Sequence, residues 1–252
     1  MEIPKGMEEY AECVTAHETA VIVNDEYKLR TLNDPDIKYI VDIGANTGSF
    51  SALCQDIFPK AKIIVAEPHP DLMKIAKVNT ENKLIYEEKA VIDNARKKKV
   101  TFNICKWGGN GHVDGYFRWD LFAPMGSKLE RQIKVNAVTL KKMMEDNSFP
   151  RIDLLKIDCE GFEGGILQAF KPHMKKVKHF RGEWHGDKEI PLIQDALEKT
   201  HDVVFDRRLS THGEVFATLK DLKIKNVFVD DSLPQGAKGF RILPNGKRQV
   251  MM

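Results

Sequence analysis

Apolar residues recur along the chain in two rhythms. Short β-branched runs predict strands at Tyr39 to Ile43, Lys62 to Ala66, Leu84 to Val91, Ile152 to Ile157, Val177 to Trp184 and Val203 to Asp206. Several of these runs are almost continuously apolar, the pattern of strands covered on both faces. Between them, apolar positions at helical spacing predict helices at Thr47 to Ile57, Pro70 to Asn79, Leu140 to Asp146, Phe162 to Phe170 and Pro191 to Thr200. The prolines of Phe58-Pro59-Lys60 and Phe149-Pro150-Arg151 mark short connections. Alternation of this kind predicts an α/β fold: a doubly wound, mostly parallel sheet with right-handed crossovers.

Three stretches break the rhythm and divide the chain into an N-terminal cover (1–36), a main domain (37–229) and a C-terminal extension (230–252). The first reads as a helix followed by a polar strand pair, covering the sheet or facing the substrate. Residues 106 to about 130, rich in Gly and aromatics, lack periodicity and read as an inserted lid or binding loop. The last stretch reads as a loose terminus or an edge extension.

Composition narrows the options. With 252 residues, 42% hydrophobic, the chain buries one sizeable core unaided. Its 39 Lys plus Arg against 37 Asp plus Glu leave +2, which argues against nucleic acid as a partner held by charge. Basic runs at Arg96-Lys97-Lys98-Lys99 and Lys175-Lys176-Val177-Lys178 read as solvated strand ends. No apolar run approaches the roughly 20 residues of a membrane span, and Met1-Glu2-Ile3-Pro4-Lys5 is no apolar leader. The expectation is a soluble, cytoplasmic protein with no membrane partner; the oligomeric state is left open. Cys13, Cys54, Cys105 and Cys159 are widely spaced, as free buried thiols are.

Candidate chemistry begins at Val41 to Ser51, where a strand passes through Gly44 and Gly48 into a helix. Glycine there lets backbone approach a ligand, and the amides of a helix start favour polar or anionic groups. The dinucleotide fingerprint G-x-G-x-x-G is broken by Asn46 and Ser49, so hydride transfer from a nicotinamide is disfavoured. What stands is D-x-G-x-N-x-G over Asp42, Gly44, Asn46 and Gly48. The second strand ends at Glu67, placing a carboxylate where it accepts hydrogen bonds from the ribose hydroxyls of a nucleoside.

These segments, VDIGANTGSFS (41–51), VAEPHP (65–70) and LLKIDCEGFE (154–163), resemble the FkbM-type methyltransferases of the class I fold, over roughly residues 38 to 220. The resemblance implies S-adenosylmethionine as cofactor and a seven-stranded Rossmann-like sheet whose last, antiparallel strand is Glu214 to Leu219. It implies that the turn of Asp42, Gly44, Ala45, Asn46, Thr47 and Gly48, with Asp158, surrounds the methionine end. Glu67 would hold the ribose. Pro68 and His69 would lie at the adenine rim, with Ala90 and Val91 closing the other face. It further implies O-methylation of a sugar, glycan or other small hydroxylated molecule.

A second constellation lies at the end of the strand beginning at Ile152. Lys156 and Asp158 share a face, with Glu160 just beyond, and Glu183 and His185 share a face on the next strand. A hydroxyl is a poor nucleophile while protonated, so a carboxylate or imidazole nearby supplies a base. Asp158 and His185 are the candidates for that task, with Glu160 and Lys156 beside them; a purely structural ion network is the alternative. Asp158, Glu183 and His185 also form an oxygen–nitrogen set suited to Mg²⁺ or Mn²⁺. Amine methylation of nucleic-acid bases commonly uses an Asn or Asp, two prolines and an aromatic, whereas Asp158-Cys159-Glu160-Gly161 stands here. In the inserted loop Trp107, Tyr116, Phe117 and Trp119 offer flat faces to a sugar ring, with Asn110, His112 and Asp114 for its hydroxyls. RNA or protein methylation, or a catalytically silent nucleoside-binding module, are the competing functions.

Overall fold

The computed structural model describes residues 1–105, 111–114, 129–206, 212–222, 239–242 and 248–251. In chain order the strands are β1 (Tyr39–Ile43), β2 (Lys62–Ala66), β3 (Ile85–Glu87), β4 (Lys89–Val91), β5 (Lys99–Cys105), β6 (His112–Val113) and β7 (Leu129–Val138), then β8 (Ile152–Ile157), β9 (Val177–His185), β10 (His201–Phe205), β11 (His212–Leu219), β12 (Gly239–Ile242) and β13 (Arg248–Met251). The α-helices are α1 (Ala11–His17), α2 (Ser49–Ile57), α3 (Pro70–Asn79), α4 (Leu140–Asp146), α5 (Glu163–Phe170) and α6 (Glu189–Leu197).

The principal sheet has the order β3-β2-β1-β8-β9-β11-β10-β12-β13. From β3 to β9 neighbours are parallel; β11 enters antiparallel between β9 and β10. Seven strands with an antiparallel seventh are therefore present as expected, and the β12–β13 hairpin extends the β10 edge. The chain departs from β1 toward β2 and β3, and from β8 toward β9 on the other side. That reversal opens a crevice at the carboxyl ends of β1 and β8. Strand β8 is buried along its whole length, as a central parallel strand must be.

Side-chain alternation lets each strand serve two cores. Val41, Ile43, Leu155 and Ile157 join one with α5, α6 and the second sheet. Ile40 and Leu154 join the other with Phe50, Leu53 and Cys54 of α2 and with Tyr27, Leu29 and Leu32 of the N-terminal segment. Helix α3 starts at Pro70, where proline is pre-set for a first turn, and the His69 ring accepts hydrogen bonds from the Asp71 and Leu72 amides.

Three expectations need correction. Leu84 to Val91 is two strands: β3 stays in the principal sheet, and β4 joins a second sheet of order β4-β7-β5-β6. Within the inserted stretch, His112–Val113 (β6) and the start of β7 at Leu129 are strands of that second sheet rather than loop, each pairing with β5. Trp107, Asn110, Tyr116, Phe117 and Trp119 lie outside the described residues. Finally, the N-terminal helix is followed by turns, not a strand pair. Asp25, at φ 50°, accepts the Leu29 and Arg30 amides at 2.8 and 3.0 Å, so polar side chains close turns there instead of decorating a ladder.

The segment is tied down by buried polar contacts. Asp34 accepts from Lys178 at 2.8 Å and lies 2.9 Å from His179 Nε2, while the Arg181 guanidinium donates to the Tyr27 carbonyl at 3.1 Å. Among the described residues no helix is long and apolar enough to cross a membrane. The four cysteines are free; Cys159 is only half-buried.

Candidate active site

The two glycines of the first turn serve chain packing. Gly44 has φ +72°, and a Cβ on it would lie 1.7 Å from the Asp158 carbonyl oxygen. The Asp158 amide donates to the Ile43 carbonyl at 3.1 Å, so β1 and β8 meet there at backbone contact. Gly48 has φ +84°, and its Cβ would come within 2.9 Å of Ala76 Cα on α3. Both glycines thus bring one chain segment close against another, and Gly44 also lines the cleft.

A cleft of about 660 Å³, open to solvent, lies at this meeting point. Gly44, Asn46, Glu67, Pro68, Ala90, Val91, Asp158 and Glu160 line it, together with His17, Leu72, Phe102, Val113, Cys159 and Phe162. Of the expected cofactor residues, Asp42, Ala45, Thr47, Gly48 and His69 are not in this lining; all but Gly48 are themselves buried side chains. His69 caps α3, and burial lowers its pKa to about 4, so the ring is neutral. Its Nε2 has no hydrogen-bond partner among the described residues.

Glu67 is the polar anchor of the cleft. It is 5% exposed, and one carboxylate oxygen accepts the Asn46 amide at 2.9 Å while the other accepts the His69 amide at 2.8 Å. Burial raises its pKa to about 7 despite those two amides. Each oxygen keeps a second lone pair for a ligand hydroxyl. Asn46 is itself held at φ 52°.

Behind the turn, the Lys156 ammonium donates to the Gly44 carbonyl at 2.6 Å, and lies 3.4 Å from Asp42 and 3.6 Å from Asp158. Burial disfavours that cation, but the two aspartates outweigh it and hold Lys156 charged. Asp42 also accepts the Ser51 hydroxyl at 2.7 Å. Lys156 is therefore a strut between β1 and β8 rather than a residue of the cleft surface. Asp158 accepts the Tyr27 hydroxyl at 3.0 Å from a residue 131 positions earlier. Burial would raise this carboxyl, but Lys156, His185 and Tyr27 pull it below its ordinary range.

His185 sits within a shell of acids. Its Nδ1 lies 3.0 Å from Glu163, and its Nε2 lies 3.4, 3.6 and 3.9 Å from Glu183, Glu160 and Asp158. Burial alone would deprotonate the ring, yet Glu160, Glu163 and Glu183 hold its pKa well above the ordinary histidine value. The acids thus favour the imidazolium form, which differs from the near-neutral base expected of His185. Burial pushes Glu160 up to about 8, and the neighbouring His185 opposes that shift. The ligand atoms of Asp158, Glu183 and His185 lie within 4.8 Å of one another, a set that matches a divalent cation in donor type.

A sequence profile described as "Methyltransferase FkbM domain" matches residues 42–223 of this chain. The chain belongs to the FkbM methyltransferase family. It is 28% identical over 202 residues to the methyltransferase sdnD of Sordaria araneosa, covering 69% of this chain and 78% of that protein. Among solved structures, this methyltransferase is similar to the precorrin-6y C5,15-methyltransferase of Geobacter metallireducens, at TM-score 0.43 and 14% identity over 75% of this chain and 85% of that one. It is also similar to M. capricolum TrmK in complex with S-adenosylhomocysteine, at TM-score 0.42 and 12% identity over 82% and 72%. These structural likenesses are loose and concern the path of the chain.

Sequence reasoning missed three residues that shape the methyltransferase site. Tyr27 and His17 come from the N-terminal segment, and no local motif links them to Asp158. Glu163 does have a sequence signal: it ends the LLKIDCEGFE segment and, fully buried, accepts the Cys159 and Gly161 amides at 3.0 and 3.1 Å.

Proposed function

We propose that this methyltransferase moves the methyl group of S-adenosylmethionine to a hydroxyl oxygen of a sugar, glycan or other small hydroxylated molecule. One observation carries the cofactor assignment: Glu67, buried in the cleft wall, has both oxygens aimed by the Asn46 and His69 amides. A carboxylate so fixed suits a vicinal diol such as a ribose. Pro68, Leu72, Ala90, Val91, Phe102 and Val113 supply an apolar surface for a flat base, and Gly44, Asn46 and Asp158 supply polar backbone and side chains at the other end. When bound, the cofactor supplies an electrophilic methyl group on a sulfonium.

The chain's own part is positioning. Lys156 and Tyr27 hold the Asp158 carboxylate ionised at the cleft, where it accepts a hydrogen bond from the acceptor hydroxyl and sets its direction of attack. Glu163 and His185 brace the Asp158–Glu160 turn from behind. The acid shell disfavours an anionic acceptor such as a nucleic-acid backbone. The test is mass spectrometry of a glycan and metabolite panel incubated with deuteromethyl-labelled cofactor, with and without chelator. Label on a hydroxyl oxygen supports the reading; label confined to an amine, or to RNA or protein, overturns it.

A further inference from the structure

The described cleft holds several ionisable side chains that a hydroxyl proton could reach, and their protonation differs. Asp158 is a weak base because its neighbours stabilise the carboxylate. Glu160 is engaged by His185 Nε2 at 3.6 Å. His185 is enclosed by Glu160, Glu163 and Glu183 and is not in the cleft lining. Cys13, buried against the first turn, keeps its proton, with its thiol pushed up to about 12 by burial. His17 remains.

His17 is half-buried, lines the cleft, and ends α1. Its Nδ1 lies 2.8 Å from the Cys13 carbonyl oxygen, which can only accept, so Nδ1 bears hydrogen and Nε2 bears the lone pair of the neutral ring. No described residue is hydrogen-bonded to Nε2. The position is fixed from both sides. One turn earlier the Cys13 thiol donates to the Asn46 side-chain oxygen at 3.5 Å, bringing α1 against the first turn. Directly after His17 the helix widens into a π-helical segment, Glu18–Val23, closed by the Asn24 amide on the Thr19 carbonyl at 2.9 Å. Such segments are rare and concentrate at functional sites.

Resting on the reading of O-methylation above, we infer that His17 is the general base of this methyltransferase: its Nε2 takes the proton of the acceptor hydroxyl as the oxygen bonds to the methyl carbon. The oxygen keeps the O–H electron pair and uses it for the new bond, the carbon–sulfur pair stays on sulfur, and the imidazolium returns its proton to solvent. Asp158 then orients the hydroxyl while His17 deprotonates it, a division of labour that places the base on the N-terminal segment rather than on the sheet.

The test has two arms. With the hydroxyl acceptor found by the labelled-cofactor panel, His17→Gln lowers kcat at least ~100-fold, within the range general-base catalysis supplies. Calorimetric affinity for S-adenosylhomocysteine stays within about twofold, and added imidazole restores part of the turnover of His17→Ala. In the second arm, long-range proton–nitrogen NMR of the histidine-labelled parent protein, bound to S-adenosylhomocysteine, reads the neutral His17 ring as Nδ1–H. A kcat within threefold of the parent for both variants, or a neutral ring protonated at Nε2, overturns the assignment. If the parent methylates no hydroxyl, the proposed function fails on its own; the His17 assignment as base for a hydroxyl falls with it, whatever the tautomer.

Discussion

Replacing Lys156 by Met tests how β1 and β8 are held together. The ammonium is 3% exposed, bonds the Gly44 carbonyl at 2.6 Å and stands 3.4 Å from Asp42 and 3.6 Å from Asp158. Methionine fills similar space but removes the cation, leaving the buried Asp42 carboxylate, the half-buried Asp158 carboxylate and a carbonyl without it. Breaking a buried pair from one side costs about 3–5 kcal/mol, against a total stability of about 5–15 kcal/mol. At about 2–4 °C per kcal/mol for a chain of this size, Tm falls by roughly 6–20 °C. Urea and thermal unfolding of Lys156→Met, Asp42→Asn and the double variant measure this. Because Asp42→Asn removes one of the stranded charges, the double variant recovers about 0.5–3 kcal/mol relative to additivity. A Lys156→Met protein within ~1 kcal/mol of the parent, or strict additivity, would refute the strut; that threshold lies below the smallest cost expected.

Other outcomes follow from the same contacts. Cofactor affinity tracks the ionisation of Glu67, whose pKa is about 7: binding of S-adenosylhomocysteine strengthens as pH rises from 6 through 8, and Glu67→Gln abolishes that slope and weakens binding at least ~10-fold, as losing a charge-assisted hydrogen bond does. His69, with a folded pKa of about 4 against 6.5 unfolded, binds its proton more readily in the unfolded chain. Stability from this source is therefore complete above pH 6.5 and is lost as pH falls toward 4; a His69→Asn variant, which keeps a capping side chain, flattens that limb in pH-dependent unfolding. Gly44→Ala, whose methyl would overlap the Asp158 carbonyl, destabilises by at least about 2 kcal/mol from overpacking and a left-handed backbone, and thermal denaturation reads it directly. EDTA leaves turnover unchanged; a tenfold loss restored by Mg²⁺ would assign Asp158, Glu183 and His185 to a metal after all.

Much of this site was legible before the structure, because its backbone is local. Gly44, Asn46 and Glu67 sit at strand ends that apolar runs announce, and the crevice follows from the order of those strands. The pairing of Lys156 with Asp158, and of Glu183 with His185, followed from side-chain alternation alone. What escaped was long-range or depended on burial. Tyr27 meets Asp158 across most of the fold, with no spacing rule connecting them. His185 sits beside four carboxylates from two segments, and only their convergence favours the cation over the expected base. Strand β7 does alternate, at Ile133, Val135 and Ala137, but charged neighbours and an exposed first half hide it among polar residues. His69 directly follows the Glu67-Pro68 strand end, yet the helix start at Pro70 recruits it as a cap.

The account rests on S-adenosylmethionine lying along the cleft from Gly44 to Phe102, with its ribose on Glu67. A crystal structure grown with saturating S-adenosylhomocysteine tests this most directly. The predicted result is density for the nucleoside between Pro68 and Val91, with both ribose hydroxyls donating to the Glu67 carboxylate. Ligand bound elsewhere, or a cleft left without it while Glu67 keeps only the Asn46 and His69 amides, would contradict the account.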